Sequence, residues 1–163
     1  MENVFVGKIV NTHGIKGELR IKSDFEYKNR VFKVGNKLII KGQEYTIKSY
    51  RVHKEFDMVT FDGYDNINDI LHLKGINVFI SRDYLNLDDN DYILSDLIDL
   101  DLVLNDSVVG KIIDYTTGLN PLLCVKGEKN FYIPLKGNFI DKIDIKSGKV
   151  IVNDNVKELM LWR

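Results

Sequence analysis

The chain has 163 residues, of which 44 % are hydrophobic and 29 % charged, with a formal net charge of −1. That is enough apolar material for one ordinary domain or two small ones, and it excludes a largely disordered chain. One cysteine, Cys124, excludes an intrachain disulfide. No apolar run approaches the roughly 20 residues of a membrane-spanning helix. The scattered His13, His53 and His72 offer no metal-ligand spacing. With no secretory signal pattern at the N-terminus, a reducing cytoplasmic setting is expected.

Taken in chain order, the elements read as β. Residues 4–11, VFVGKIVN, alternate with Val4, Val6 and Ile9 on one side. Residues 17–23, GELRIKS, alternate with Leu19 and Ile21 inward and Glu18, Arg20 and Lys22 outward. A hairpin is expected with arms 37–41 and 44–52 and a turn at Gly42. Residues 56–64 supply another strand. In NINDILHLKG, Ile67, Ile70, Leu71 and Leu73 have helical spacing, with Asn66 as the cap and Gly75 as the stop. Residues 76–80 return to strand. The polar, acidic stretch 81–92 reads as an exposed connection. Six further strands are expected at 100–104, 108–115, 122–126, 131–134, 140–145 and 149–152, followed by a helical turn in the tail NVKELMLWR. Short strands at this spacing suggest small barrels. The expected fold is mainly β: two small barrels, 1–83 and 92–163, joined by an acidic linker at 84–91.

The balanced net charge conceals segregation. Residues 1–54 carry twelve Lys and Arg against five Asp and Glu, a net of +7. Residues 55–108 carry two against thirteen, a net of −11, and residues 109–163 carry nine against six, a net of +3. A basic first third suits an anionic partner such as nucleic acid, and an acidic middle suits a basic protein. A plain drift of solvated surface composition accounts for the same counts.

The stretch NTHGIKGELRIKS, residues 11–23, allows three readings. As a phosphate loop it fails, because Gly14 and Gly17 are too close together and a strand pattern follows them instead of a helix. As a catalytic site it has His13 as a base but no evident orienting group. As a structural turn, Gly14 and Gly17 let the chain reverse, while Lys8, Lys16, Arg20 and Lys22 are left outward as a possible phosphate contact or as ordinary solvated side chains. Cys124, in the apolar run PLLCV, reads as a buried small hydrophobe.

The pattern VGKIVNTHGIKGELRI, from Val6 to Ile21, closely resembles the opening signature of the RimM family of ribosome maturation factors. LHLKGINVFI at 71–80, DYILSDLIDLDLV at 91–103, VGKIIDYTTGLNPLLCV at 109–125, FYIPL at 131–135 and FIDKIDIKSGKVIV at 139–152 resemble later landmarks of that family in order. The resemblance implies a C-terminal barrel of the PRC type. It also implies an assembly factor without catalytic residues, cofactor or small-molecule substrate. Its implied partners are the small-subunit head, a basic head protein (the nineteenth in the small-subunit series) and 16S rRNA. On this basis Asp88, Asp89, Asp91, Tyr92 and Asp96 are candidate protein contacts. Lys8, His13, Gly14, Lys16, Gly17, Arg20 and Lys22 are candidate rRNA contacts or signature positions. A monomer is expected. Two positions depart from the family pattern: Ile93 replaces the second tyrosine of a Tyr–Tyr pair, and Asp99 replaces a glycine. Tyr92 can equally seal a junction as an amphipathic tyrosine. A generic cytoplasmic β-barrel interaction module is the alternative function.

Overall fold

The alternating runs of the first half become six strands in a computed structural model that describes residues 2–161. They are β1 (Asn3–His13), β2 (Glu18–Lys22), β3 (Lys37–Ile40), β4 (Gln43–His53), β5 (Phe56–Phe61) and β6 (Asn77–Ser81). They close into a barrel in the order β1-β2-β5-β4-β3-β6, with every pairing antiparallel. Leu19, Ile21, Leu38, Ile40, Ile47 and Phe61 fill it and are fully buried. Val4, Val6 and Ile9 all face inward although strict alternation would separate Val6 from Ile9. Register shifts at Phe5/Gly7 and Ile9/Asn11 change the phase along β1.

Residues 66–75 form two 3₁₀ turns, Ile67–Asp69 and Leu71–Leu73, where one helix was expected. Ile67, Ile70 and Leu73 are spaced by three, the period of a 3₁₀ turn, and Ile70 and Leu73 are fully buried. Leu71, which a four-residue spacing would bury, is 47 % exposed. The Asn66 side chain accepts from the Asn68 amide at 2.9 Å, as its capping position implies.

Between β2 and β3 the chain crosses the barrel with one helical turn, α1 (Lys28–Val31). Its anchor is Asp57, 2 % exposed. Lys28 Nζ lies 2.9 Å from Asp57 Oδ2, and the Tyr50 hydroxyl donates to Asp57 Oδ1 at 2.6 Å. Burial, and then the Asp57 carboxylate, push the Tyr50 pKa upward. Phe32 stacks on Tyr50 with ring centroids 5.5 Å apart, so the crossing segment is held by both charge and aromatic area.

The chain divides into two compact units between Asn86 and Leu87. The polar stretch 84–91 is shared between them. A 3₁₀ turn at Arg82–Leu85 places Leu85 fully inside the first unit, and Arg30 Nη1 donates to the Leu85 carbonyl at 2.8 Å. Residues 87–91 belong to the second unit.

The second unit contains β7 (Asp101–Leu104), β8 (Ser107–Tyr115), β9 (Leu122–Gly127), β10 (Phe131–Pro134), β11 (Ile140–Asp144) and β12 (Lys149–Val152). Their sheet order is β10-β9-β8-β7-β12-β11, with β12 and β7 parallel. Unlike the first unit, this order is open among the described residues, and its end strands β10 and β11 each pair along one edge. Leu97, Leu102, Ile112, Leu123, Ile133 and Val150 form its fully buried centre. Cys124, expected to be buried, is only half-buried. Leu123 and Val125 take the inward positions of β9, and alternation turns Cys124 to the other face, opposite Tyr132 and Asp114. The tail forms α2 (Val156–Leu161); its last expected residues, 162–163, lie outside the described residues.

Candidate nucleic-acid interface

The turn between β1 and β2 is built by its glycines. Gly14 has φ 70° and Gly17 φ 84°. At Gly17 a Cβ would collide with the Tyr64 carbonyl oxygen, so the position needs glycine for space as well as for backbone angle. The Ile67 amide donates to the Ile15 carbonyl at 2.9 Å, docking the turn onto residues 64–67. Lys16 stands exposed on this turn.

Two cross-strand pairs carry the charge beyond it. On the outer face of β1 and β2, Lys8 stands directly opposite Lys22, and both are exposed. Neither has a carboxylate within ion-pair distance among the described residues. Like charges placed opposite each other destabilise a sheet, so this arrangement favours an external anion. Further along, Asn11 pairs with Arg20, and His13 pairs with Glu18.

Arg20, expected to project freely, is pinned. Its Nη2 donates to His13 Nδ1 at 3.1 Å, and its guanidinium lies 5.1 Å from the Phe56 ring centroid. The contact holds the Arg20 guanidinium beside the His13 ring. Arg20 Nε is buried without a partner. On the other side of β5, Arg51 forms a two-point bond with Glu18 at 2.9 and 2.7 Å. Arg20 and Arg51 are each in register with the fully buried Met58, one on either side. The His53 ring lies 5.5 Å from that of His13.

This cluster is electrostatically positive. The bonded Arg51 guanidinium holds the Glu18 carboxyl below its usual range, against the opposing effect of burial, and His13 and His53 assist. Desolvation lowers the His53 pKa, followed by repulsion from Arg51, His13, Lys54 and Arg20. Glu18 is engaged by Arg51 and does not orient His13, whose bonded neighbour is Arg20. The residues offer a positively charged surface and not a base–carboxylate pair. Among the described residues no cluster of His, Cys, Asp or Glu could hold a metal ion, and no helix is long and apolar enough to cross a membrane.

The acidic candidates behave differently. Asp91 Oδ2 accepts from the Asp88 amide at 2.9 Å, and Asp96 Oδ2 accepts from the Ile93 amide at 3.0 Å. These two carboxylates hold local backbone. Asp88 and Asp89 are exposed, and Asp89 makes only a distant 3.7 Å ion pair with Lys146. Tyr92 packs against the core of the second unit. Ile93 is buried, 2 % exposed. Asp99 has φ 71°, a left-handed backbone that explains why a glycine suits this position.

A profile of the RimM N-terminal domain matches residues 4–85. A ribosome maturation factor RimM of Staphylococcus aureus (strain bovine RF122 / ET3-1) is 40 % identical over 158 residues, covering 91 % of this chain and 94 % of the relative. The chain belongs to the RimM family. The S. aureus JH9 relative is 39 % identical over the same length, again covering 91 % of this chain and 94 % of its own. Among solved structures, a RimM protein of Pseudomonas aeruginosa overlays with a TM-score of 0.45 at 23 % identity, covering 93 % of this chain and 97 % of that one. RimM proteins are ribosome maturation factors and not enzymes, in agreement with the expectation drawn from the signature at Val6–Ile21.

Residues 51–56 were absent from the expected site. Arg51, His53 and Phe56 reach it because β4 and β5 pair in the register Arg51↔Met58 and His53↔Phe56, and β5 lies beside β2. The sequence signal was the hairpin itself. Lys54, at φ 56°, marks its turn, and counting back from it places His53 and Arg51 at the same barrel end as His13.

Proposed function

We propose that this RimM-family chain works in the cytoplasm as a non-enzymatic factor that binds the assembling small ribosomal subunit at its head. The outer face of β1 and β2 meets 16S rRNA, and the exposed carboxylates of Asp88 and Asp89 meet a basic head protein, the nineteenth in the small-subunit series. Binding one arrangement of the head more tightly than its competitors shifts the folding equilibrium of the rRNA toward it, and its processing follows. No covalent step is required. The supporting observation is the uncompensated Lys8–Lys22 pair, which phosphates would neutralise.

Co-sedimentation with immature small subunits over a salt series tests both contacts. Lys8→Glu with Lys22→Glu is expected to weaken retention by more than about tenfold and to flatten its salt dependence. Asp88→Lys with Asp89→Lys is expected to weaken binding to the isolated head protein and leave naked rRNA binding intact. Wild-type retention by the lysine variant would overturn the rRNA contact. A native chain that fails to sediment with subunits would favour the generic interaction module.

A further inference from the structure

The barrel has a second outer surface, on β1, β6 and β3, whose composition differs from that of the Lys8–Lys22 face. An open groove of about 640 Å³ runs there, lined by Asn3, Lys8, Ile39, Lys41, Asn77 and Phe79 among others. Phe5 stands at its side, in register with Phe79 and edge-to-face with it, centroids 5.7 Å apart and planes at 72°. Phe5 is 53 % exposed, and Ile39 continues the apolar floor opposite Phe79. Phe5, Phe79 and Ile39 adjoin across three strands, so the apolar area here is a contiguous patch and not one scattered side chain.

The rim is cationic. Lys8 borders the groove on one side and is also half of the Lys8–Lys22 pair. Lys41 borders it on the other side, from the two-residue turn joining β3 and β4, where Lys41 has φ 52° and Gly42 φ 75°. Such a turn favours asparagine or glycine at the lysine's place, so local stability does not explain a lysine there. Among the described residues no carboxylate lines the groove. The nearest acidic side chain in register is Glu44 on β4, opposite Ile39.

A half-exposed aromatic ring beside a groove bordered by lysines, continuous with the Lys8–Lys22 face, matches the chemistry of single-stranded nucleic acid. Bases stack on the aromatic, and the backbone follows the cations. A duplex presents no unstacked base to such a ring. We infer that the β1–β6–β3 groove binds an unpaired segment of RNA, with one base stacked on Phe5 and neighbouring phosphates at Lys8 and Lys41. This rests on the rRNA reading above and specifies the form of RNA that the barrel takes.

Fluorescence anisotropy of the full chain with a short unstructured oligoribonucleotide, and with a duplex of equal length, tests the inference. Phe5→Ala is expected to weaken single-strand binding about tenfold and leave duplex binding unchanged, while Phe5→Tyr restores it. Lys8→Ala with Lys41→Ala is expected to lower the single-strand salt slope by about 1.4, near 0.7 per lost phosphate contact. Thermal unfolding of each variant controls for folding. Equal loss on both RNAs, or no loss with Phe5→Ala, overturns the groove. A groove variant that loses subunit binding yet keeps oligoribonucleotide binding also overturns it, and assigns the groove to an apolar protein segment. In either case co-sedimentation of the native chain still decides the assembly-factor reading separately.

Discussion

The basic stretch at 8–22 and the acidic stretch at 88–96 have opposite sign, but their more telling difference is how their charges are used. In the first, Lys8, Lys16 and Lys22 are displayed with no ion-pair partner among the described residues, and two of them are held opposite each other across a strand pair. In the second, Asp91 and Asp96 hold the backbone amides of Asp88 and Ile93, leaving Asp88 and Asp89 as the exposed carboxylates. A count of charges along the chain gives the same weight to both kinds. The displayed kind is fully open to a partner, while an engaged carboxylate has part of its acceptor capacity committed to its amide.

Stability separates the two kinds most sharply in the acidic segment. Asp96→Ala leaves the Ile93 amide without its acceptor, and is expected to cost about 1 kcal/mol in a denaturant titration. Asp89→Ala removes a surface charge with one distant, solvent-screened neighbour, and is expected to stay within about 0.5 kcal/mol of the native chain. If the two variants unfold at the same midpoint, the distinction between engaged and displayed carboxylates fails.

A smaller effect of opposite sign is expected just downstream. Asp99 occupies a left-handed backbone at φ 71°, and its amide donates to the Ile112 carbonyl at 2.7 Å. Asp99→Gly keeps that bond and relieves the side-chain penalty, while adding entropy to the unfolded chain. The net expectation is a gain of about 0.5 kcal/mol, read as a higher denaturant midpoint. A lower midpoint would show that the Asp99 side chain supports the fold.

Legibility followed the same division. Strand positions were readable wherever a side chain alternates with burial, as in Leu19 and Ile21 against Arg20 and Lys22. The Gly14–Gly17 turn was readable because backbone angle and residue type are tied together. A barrel was expected there, but the pairing that closes it was not readable, since it depends on β1 finding β6 some seventy residues away, at the register Phe5↔Phe79. Nor was the pinning of Arg20, which needs His13 and Phe56 from two other strands. The crossing turn α1 was hidden because its anchor, Asp57, is a charged residue at an inward-facing position, and composition alone predicts Asp on the surface. Charge sign was visible in the sequence; charge availability required the hydrogen bonds.

The smallest expected effect tests whether the His13–Arg20–His53 cluster belongs with the displayed charges. In the free protein, desolvation, and after it repulsion led by Arg51, hold the His53 pKa below its ordinary value, so the ring is mostly neutral near pH 7. The one carboxylate in the cluster, Glu18, is kept ionised by Arg51 through this range and contributes no titration to it. An RNA phosphate placed here would favour the charged ring and raise its pKa, so that binding takes up a proton. Affinity for RNA should therefore rise a few-fold between about pH 7.5 and about pH 6. The free protein should meanwhile lose stability as pH falls below about 6.5, where the unfolded chain binds a proton that the folded chain resists. His53→Gln should flatten both profiles. A native chain whose RNA affinity is level across this range, or a His53→Gln variant that keeps the rise, would confine the phosphate contacts to the lysines.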